Sequence, residues 1–123
     1  MLFDYNQQRR LELIFDCTFN AVQKGFKHLP IRFIIEPPHR LFDAMLARQI
    51  VIHMVHNVFA VPRRRIVQAL HRGRAAISVS ISAVNMRLQE PNFAREYEKW
   101  AQNAQAAYTR EVAKLGFDTR EAA

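Results

Sequence analysis

The sequence has few of the residues that cross-link or interrupt small folds, with one cysteine, three glycines and five prolines in 123 residues. The single cysteine, Cys17, excludes an internal disulfide framework and an all-thiolate metal site. No apolar run approaches the ~20 residues that a membrane-spanning helix needs. The first ten residues lack the basic-then-apolar order of a signal peptide. We therefore expect an intracellular protein without a membrane role.

The composition is not that of a disordered chain, because half of the residues are hydrophobic. Apolar side chains recur at three- and four-residue steps in five stretches, 6–27, 40–59, 62–70, 74–89 and 91–115. The pattern predicts an all-α protein whose five helices form a single domain over residues 1–123. We expect 40–59, whose apolar stripe begins at Phe42 and is the broadest, to be central. We expect residues 31–38 to form an extended connector or a short edge strand that the two prolines end.

Acidic residues are missing from the middle of the chain. Residues 48–88 carry seven arginines and no Asp or Glu, whereas residues 1–47 and 89–123 are close to balance. The middle segment thus accounts for the whole net charge of +7. A general preference for arginine over lysine does not explain the missing acids. An acid-free segment of this kind favours a polyanion as its partner.

The same segment has the spacing of a helix-turn-helix. Ile66 and Leu70 lie one helical turn apart, a break follows at residues 71–73, and Ile77 and Ile81 are again one turn apart. In such a motif the second helix presents its other side to a DNA major groove. An ordinary helical hairpin in a bundle is the alternative.

If Ile77 is buried, the rotation of about 100° per residue in a helix places a set of mostly small side chains on the outward side of the second helix. This set comprises Ala75, Val79, Ser82 and Met86, with Arg74, Ala76 and Ser78 at its edges. Small side chains let a backbone approach base edges, where Ala and Val can touch a thymine methyl group and Ser can donate or accept a hydrogen bond. Arginines that favour phosphates cluster at the starts of both helices, at positions 63, 64, 65, 72 and 74.

Residues 47–93 contain three short motifs in a fixed order. Residues 47–50, Ala-Arg-Gln-Ile, fit the pattern [A/P]-R-Q-[I/M], and Ile66, Ala69 and Leu70 fit I-x-x-A-F. In the pattern G-R-D-[H/R]-T-T-V, Arg72 falls on the Arg, Arg74 on the His/Arg and Ile77 on the Val. This stretch resembles the C-terminal DNA-binding domain of DnaA-type replication initiators, and most of all the small stand-alone alphaproteobacterial relatives of that domain.

The resemblance implies that Arg48 and Gln49 contact the phosphate backbone and that residues 74–76 read bases. The chain departs from the family at Gly73, which replaces an aspartate, and at the two alanines that replace threonines. The basic loop before the central helix is reduced to His39-Arg40. We therefore expect recognition of a different DNA sequence, or greater dependence on phosphates and DNA shape.

These observations predict sequence-dependent binding of double-stranded DNA by a bacterial, cytoplasmic, nucleoid-associated transcription regulator. The helix-turn-helix core would span 40–93, with an N-terminal helix and connector at 1–39 and a C-terminal helix at 94–123. The predicted phosphate contacts are Arg40, Arg48, Gln49, Arg63, Arg64 and Arg65. The predicted base and groove contacts are Arg72, Arg74, Ala75, Ala76, Ser78, Val79 and Ser82.

No phosphate-loop motif is present, so we do not expect a complete replication initiator. Some relatives of this kind activate gene-transfer-agent clusters, and the resemblance implies activation of such a cluster or of a phage-like one. One alternative is a module that docks RNA polymerase or a replication factor, and another is a regulator of replication initiation. The apolar stripes of 11–26 and 93–115 either pack within the chain or pair with a second copy in a homodimer.

The residues predict no enzyme, cofactor or metal site. His53 and His56 are three apart, as in some metal sites, but no acid or cysteine near them in sequence completes a ligand set. Residues Ser78, Ser80 and Ser82 alternate on a helix, and nothing pairs them with a histidine and an acid. We expect Cys17 to be a packed thiol.

Overall fold

The computed structural model describes residues 2–38 and 40–116, with side chains described from residue 7 onward. Six helices and no strand occur in these ranges, which confirms the all-α class. The helices are α1 (Leu2–Gln23), α2 (Ile31–Ile35), α3 (Phe42–Asn57), α4 (Arg63–Leu70), α5 (Arg74–Arg87) and α6 (Pro91–Leu115). His39 of the predicted basic loop and residues 117–123 of the predicted C-terminal region lie outside the described residues.

Helix α2 occupies the segment that we expected to be an extended connector or an edge strand, and that prediction is wrong. Pro30 stands immediately before the helix, and its carbonyl accepts the first turn's hydrogen bond from the Phe33 amide at 2.9 Å. One turn places Ile34 in the core at 0% exposure. The helix ends before Pro37, because a proline disfavours helical backbone in the residue that precedes it.

Helix α3 is the central element, as predicted, and packs against α1, α2, α4 and α5. Its middle is buried on every side, since all residues from Ile50 to Val55 are buried. The first residue of the predicted stripe is an exception, because Phe42 is 77% exposed at the beginning of the helix. The apolar stripe therefore reaches the core only after the first turn of α3.

Helices α1 and α6 pack along each other and bury most of the two long stripes within the chain, although Leu115 at the end of α6 is exposed. Leu11, Phe15 and Val22 of α1 belong to the same buried cluster as Tyr97 and Ala104 of α6. Helix α6 begins with Pro91 at its first turn, as predicted, and ends at Gly116 in the left-handed region (φ 71°). In the described residues, most of both stripes packs within the chain.

One close approach fixes this pair of helices. Gly25, just after α1, lies against the Trp100 indole so closely that a Cβ at position 25 would overlap the ring. The ring of Trp100 is in turn packed on Phe26 and Phe93, with centroids 5.9 and 6.3 Å away.

Within the described ranges, no helix combines the length and apolar character needed to cross a bilayer.

Candidate nucleic-acid interface

Helices α4 and α5 are joined by residues 71–73, and the chain reverses at His71 rather than at Gly73. His71 adopts left-handed backbone angles (φ 54°, ψ 42°) at the end of α4. Gly73 precedes α5 with ordinary extended angles (φ −68°, ψ 160°), and a Cβ there would meet no atom within 4 Å. The turn therefore does not require the glycine that the sequence places in it.

Helix α5 is oriented as the periodicity predicts. Ile77 and Ile81 are buried at 1% and 3% exposure and lie in the core with Ile66 of α4. The outward side carries exposed Ala75, Val79, Ser82 and Met86, next to exposed Arg74 and Ala76. Val79 and Met86 are 62% and 73% exposed. This side of α5 bears no carboxylate.

Two serine hydroxyls of α5 are occupied within the chain. Arg63 of α4 donates from Nη1 to the Ser78 hydroxyl at 3.2 Å. Ser80 is buried and donates to the Ala76 carbonyl at 2.9 Å. Ser78, predicted to contact bases, and Arg63, predicted to contact phosphates, are thus paired with each other.

A cleft of about 300 Å³ opens between the first halves of α3 and α5. Its walls bring together residues that are distant in sequence and that were predicted as DNA contacts: Arg40, Arg48, Gln49, Arg72 and Ala76. Pro37 and Pro38 form its rim, and Met45 and Ile52 contribute apolar surface. The cleft is therefore a basic depression with an apolar lining beside the exposed side of α5.

Arg48 is the buried member of this group, at 8% exposure. Its Nη1 donates to the Ile35 carbonyl at the end of α2, which ties α3 to the segment before the prolines. Burial lowers the pKa of Arg48, the positive charge of Arg72 lowers it further, and Glu36 opposes both effects. Two guanidinium groups thus concentrate positive charge at one cleft.

Glu36 is a member of this site that sequence reasoning missed. Arg72 donates from Nη2 to Glu36 Oε1 at 2.8 Å, and the two side chains are 42% and 78% exposed. Glu36 lies outside the acid-free segment in sequence, so the charge pattern gave no signal for it. Folding α2 against α3 brings this carboxylate to the start of α5.

The three arginines at the start of α4 do not share a surface. Arg63 and Arg64 are exposed, whereas Arg65 is half-buried. Arg65 lines a second cleft of about 410 Å³ together with Arg10 and Tyr108. The structure therefore separates Arg65 from the cleft that holds Arg48 and Gln49.

His53 holds α5 and α6 against α3. The fully buried ring pairs through Nδ1 with the Tyr97 hydroxyl at 2.6 Å and through Nε2 with Asn85 Oδ1 at 2.7 Å. Because the amide oxygen only accepts, Nε2 donates, and the neutral ring accepts the tyrosine O–H at Nδ1. Burial lowers the pKa of His53 and raises that of Tyr97, which favours this neutral arrangement.

The two histidines of α3 have separate partners, since His56 Nδ1 pairs with the Val61 carbonyl at 2.9 Å. Where the structure is described, no group of three or more His, Cys, Asp or Glu side chains gathers as for a metal ion. Cys17 is a buried free thiol, as expected, and burial raises its pKa.

Comparison of the chain with protein-family models, curated proteins and solved structures finds no match. The features of this surface are one basic cleft, one exposed carboxylate and an acid-free helix side next to both.

Proposed function

We propose that the chain binds double-stranded DNA through a helix-turn-helix formed by α4 and α5 and that it regulates transcription. The observation that carries the proposal is the cleft that gathers Arg40, Arg48, Gln49 and Arg72 beside the exposed side of α5. Cationic groups beside a protruding helix match a duplex, in which phosphate rows flank a groove of base edges.

Each part of the surface has a distinct task in this proposal. The first half of α5 enters the major groove, with Arg74 and Val79 on its exposed side. The backbone phosphate beside the groove lies over the cleft, where Gln49 and Arg72 donate hydrogen bonds to it. Arg63 and Arg64 at the start of α4 contact phosphates farther along the duplex.

Arg48 contributes a positive charge whose position is fixed by the fold. Its burial and its hydrogen bond to the Ile35 carbonyl hold the guanidinium in one place. A guanidinium has five N–H donors, so the bond to Ile35 leaves others for a phosphate at the cleft. A charge held in advance loses less conformational entropy when a phosphate binds than a mobile side chain would.

The regulatory part of the proposal rests on the sequence resemblance to stand-alone DnaA-like proteins. In this reading the protein lacks the usual base-reading threonines at positions 75 and 76 and recognises a sequence other than the initiator's box. Immunoprecipitation of the protein with its bound DNA, followed by sequencing, returns the motif, its symmetry and the neighbouring genes. Sites upstream of one gene cluster support transcription control, and sites confined to a replication origin contradict it.

Salt titration tests DNA binding directly. With five to seven phosphate contacts, the logarithm of affinity should fall against the logarithm of salt concentration with a slope of roughly −4.5 to −6. In the double variant Arg72→Ala/Arg74→Ala, loss of Arg74 from the groove should cost about 1–3 kcal/mol of binding free energy, and loss of the Arg72 phosphate contact should make the salt slope less steep by about 1. An affinity that does not change with salt contradicts the proposal.

A matched control separates the interface from net charge alone. Lys99→Ala/Lys114→Ala also removes two cations, but both lysines lie on α6 and are 69% exposed. This control should bind DNA nearly as well as the unchanged protein, whereas the arginine pair should not. Equal losses in the two variants would mean that overall charge, rather than the α4–α5 surface, attracts DNA.

A further inference from the structure

The exposed side of α5 offers few hydrogen bonds to a base. Ser80 is turned inward and bonded to the Ala76 carbonyl, and Ser78 is half-buried and bonded to Arg63. Ser82 is left as the exposed hydroxyl of the helix. The exposed side-chain atoms of α5 between Arg74 and Ser82 are therefore chiefly carbon.

That carbon surface is formed by Ala75, Ala76 and Val79, of which Val79 is 62% exposed. In the major groove, the base-specific group that carbon can contact favourably is the 5-methyl group of thymine. The polar edges of a G·C pair placed against these side chains would lose water without gaining a partner, which costs free energy. An alanine–valine surface thus discriminates in favour of thymine.

We propose that α5 selects its DNA site through thymine methyl groups, with Val79 as the main contact and Ala75 as the second. This inference rests on the proposed DNA binding and names the sequence feature that the same surface reads. Ala75 and Val79 are four residues apart, about 6 Å along the helix axis. That spacing is close to two base-pair steps of about 3.4 Å, so the site carries two thymines at about that separation.

The test begins by selecting bound sequences from a pool of random duplexes. The enriched pool is then copied twice, once with thymine and once with uracil, which lacks only the 5-methyl group. Each contacted thymine should contribute about fourfold in affinity, the factor that corresponds to about 0.8 kcal/mol for one buried methyl group. The uracil copy should therefore bind about fourfold to fifteenfold more weakly than the thymine copy.

Two variants assign the effect to one side chain. Val79→Ala shortens the contact at an exposed position, so the ratio between thymine and uracil copies should shrink toward one. Met86→Ala is the matched control, because Met86 is 73% exposed on the same side of α5, two turns farther from its start. This control should keep the full ratio.

Replacing thymine by cytosine, with and without a 5-methyl group, distinguishes the loss of the methyl group from other effects of uracil on DNA shape. Replacing a contacted thymine by cytosine should weaken binding, and 5-methylcytosine at that position should restore part of the loss. Equal binding of the thymine and uracil copies overturns the inference, as does a pool that shows no enrichment. Neither result removes the proposed binding of double-stranded DNA, which fails instead if the unselected pool shows no salt-dependent binding.

Discussion

The Arg72 guanidinium donates a hydrogen bond to Glu36 Oε1 at 2.8 Å, although 36 positions separate the two residues in the chain. Arg72 stands at the entrance to α5 and also lines the basic cleft. Glu36 is 78% exposed, so the contact lies at the surface where a duplex would approach. In the proposed complex, a carboxylate in that place would compete with DNA phosphates for the same arginine.

Replacing this carboxylate should strengthen DNA binding. Glu36→Gln removes a negative charge from the interface and frees Arg72, so we expect affinity at low salt to rise about threefold to tenfold. Folding should change little, because exposed ion pairs contribute about 0.2–1 kcal/mol. Fluorescence anisotropy with a labelled duplex measures the first effect, and urea unfolding measures the second.

Glu96→Gln is the control for that experiment, since Glu96 is paired with Lys99 at 3.4 Å on α6. It should leave affinity nearly unchanged although it removes the same charge. A weaker complex with Glu36→Gln would show that the carboxylate orients Arg72 for DNA instead of competing for it.

A second prediction concerns the contact between Gly25 and Trp100. Gly25→Ala forces a methyl group into the indole ring, so the free energy of unfolding should fall by about 1–3 kcal/mol. The loss should shrink when Trp100→Leu is already present, because the smaller side chain leaves room. Gly73→Ser is the control in open space and should change stability by less than about 0.5 kcal/mol. Urea unfolding of the four variants gives the coupling, and additive losses would contradict it.

The helical framework could be read from the sequence because its stripes are long enough to repeat. Helix α6 begins at Pro91 and ends at Leu115 as predicted, and the outward side of α5 follows from placing Ile77 in the core. Helix α2 could not be read in this way. Its five residues complete little more than one turn, so they show no period, and burial of Ile34 decides their conformation.

The candidate site was predictable in composition but not in its pairings. The resemblance implied roles for Arg48 and Gln49, and the arginine cluster at the helix starts pointed to Arg72; the structure brings all three to one cleft. Glu36 could not be found, because only the packing of α2 brings it near α5. The position of Arg65 on another cleft likewise depends on the direction in which α4 leaves α3.

Two residues with left-handed backbone angles, in the segments that precede and follow α4, allow a third prediction. His71 (φ 54°) and Ala60 (φ 57°) adopt angles that strain any residue with a Cβ by roughly 1–2 kcal/mol. Glycine adopts them freely but gains entropy in the unfolded chain, so His71→Gly and Ala60→Gly should each stabilise the fold by about 0.5 kcal/mol.

Ala106→Gly provides the opposite control, because Ala106 is exposed in the middle of α6. There glycine should destabilise the helix by about 0.5–1 kcal/mol. Thermal unfolding of the three variants measures the signs directly. A loss of stability in His71→Gly would show that the imidazole makes contacts worth more than the relieved strain.

The buried pair of His53 and Tyr97 predicts how stability depends on pH. Burial holds the pKa of His53 in the folded protein below its ordinary value of 6.5. Below about pH 6.5 the unfolded chain therefore takes up a proton that the folded chain does not, and stability falls as pH decreases. Above that pH the contribution is complete, so urea unfolding at about pH 7.5 and about pH 5.5 should show the difference.

Two variants test whether His53 is the source of this dependence. His53→Gln should be less stable at about pH 7.5, but its stability should decrease less on acidification, because the titrating ring is gone. Tyr97→Phe removes the O–H that Nδ1 accepts, and an unsatisfied buried acceptor costs about 1–3 kcal/mol. In Tyr97→Phe a protonated His53 ring has no tyrosine oxygen to which Nδ1–H could donate. Protonation of the folded protein therefore stays unfavourable, and the pH dependence should persist. An unchanged pH profile in His53→Gln would place the titrating group elsewhere in the chain.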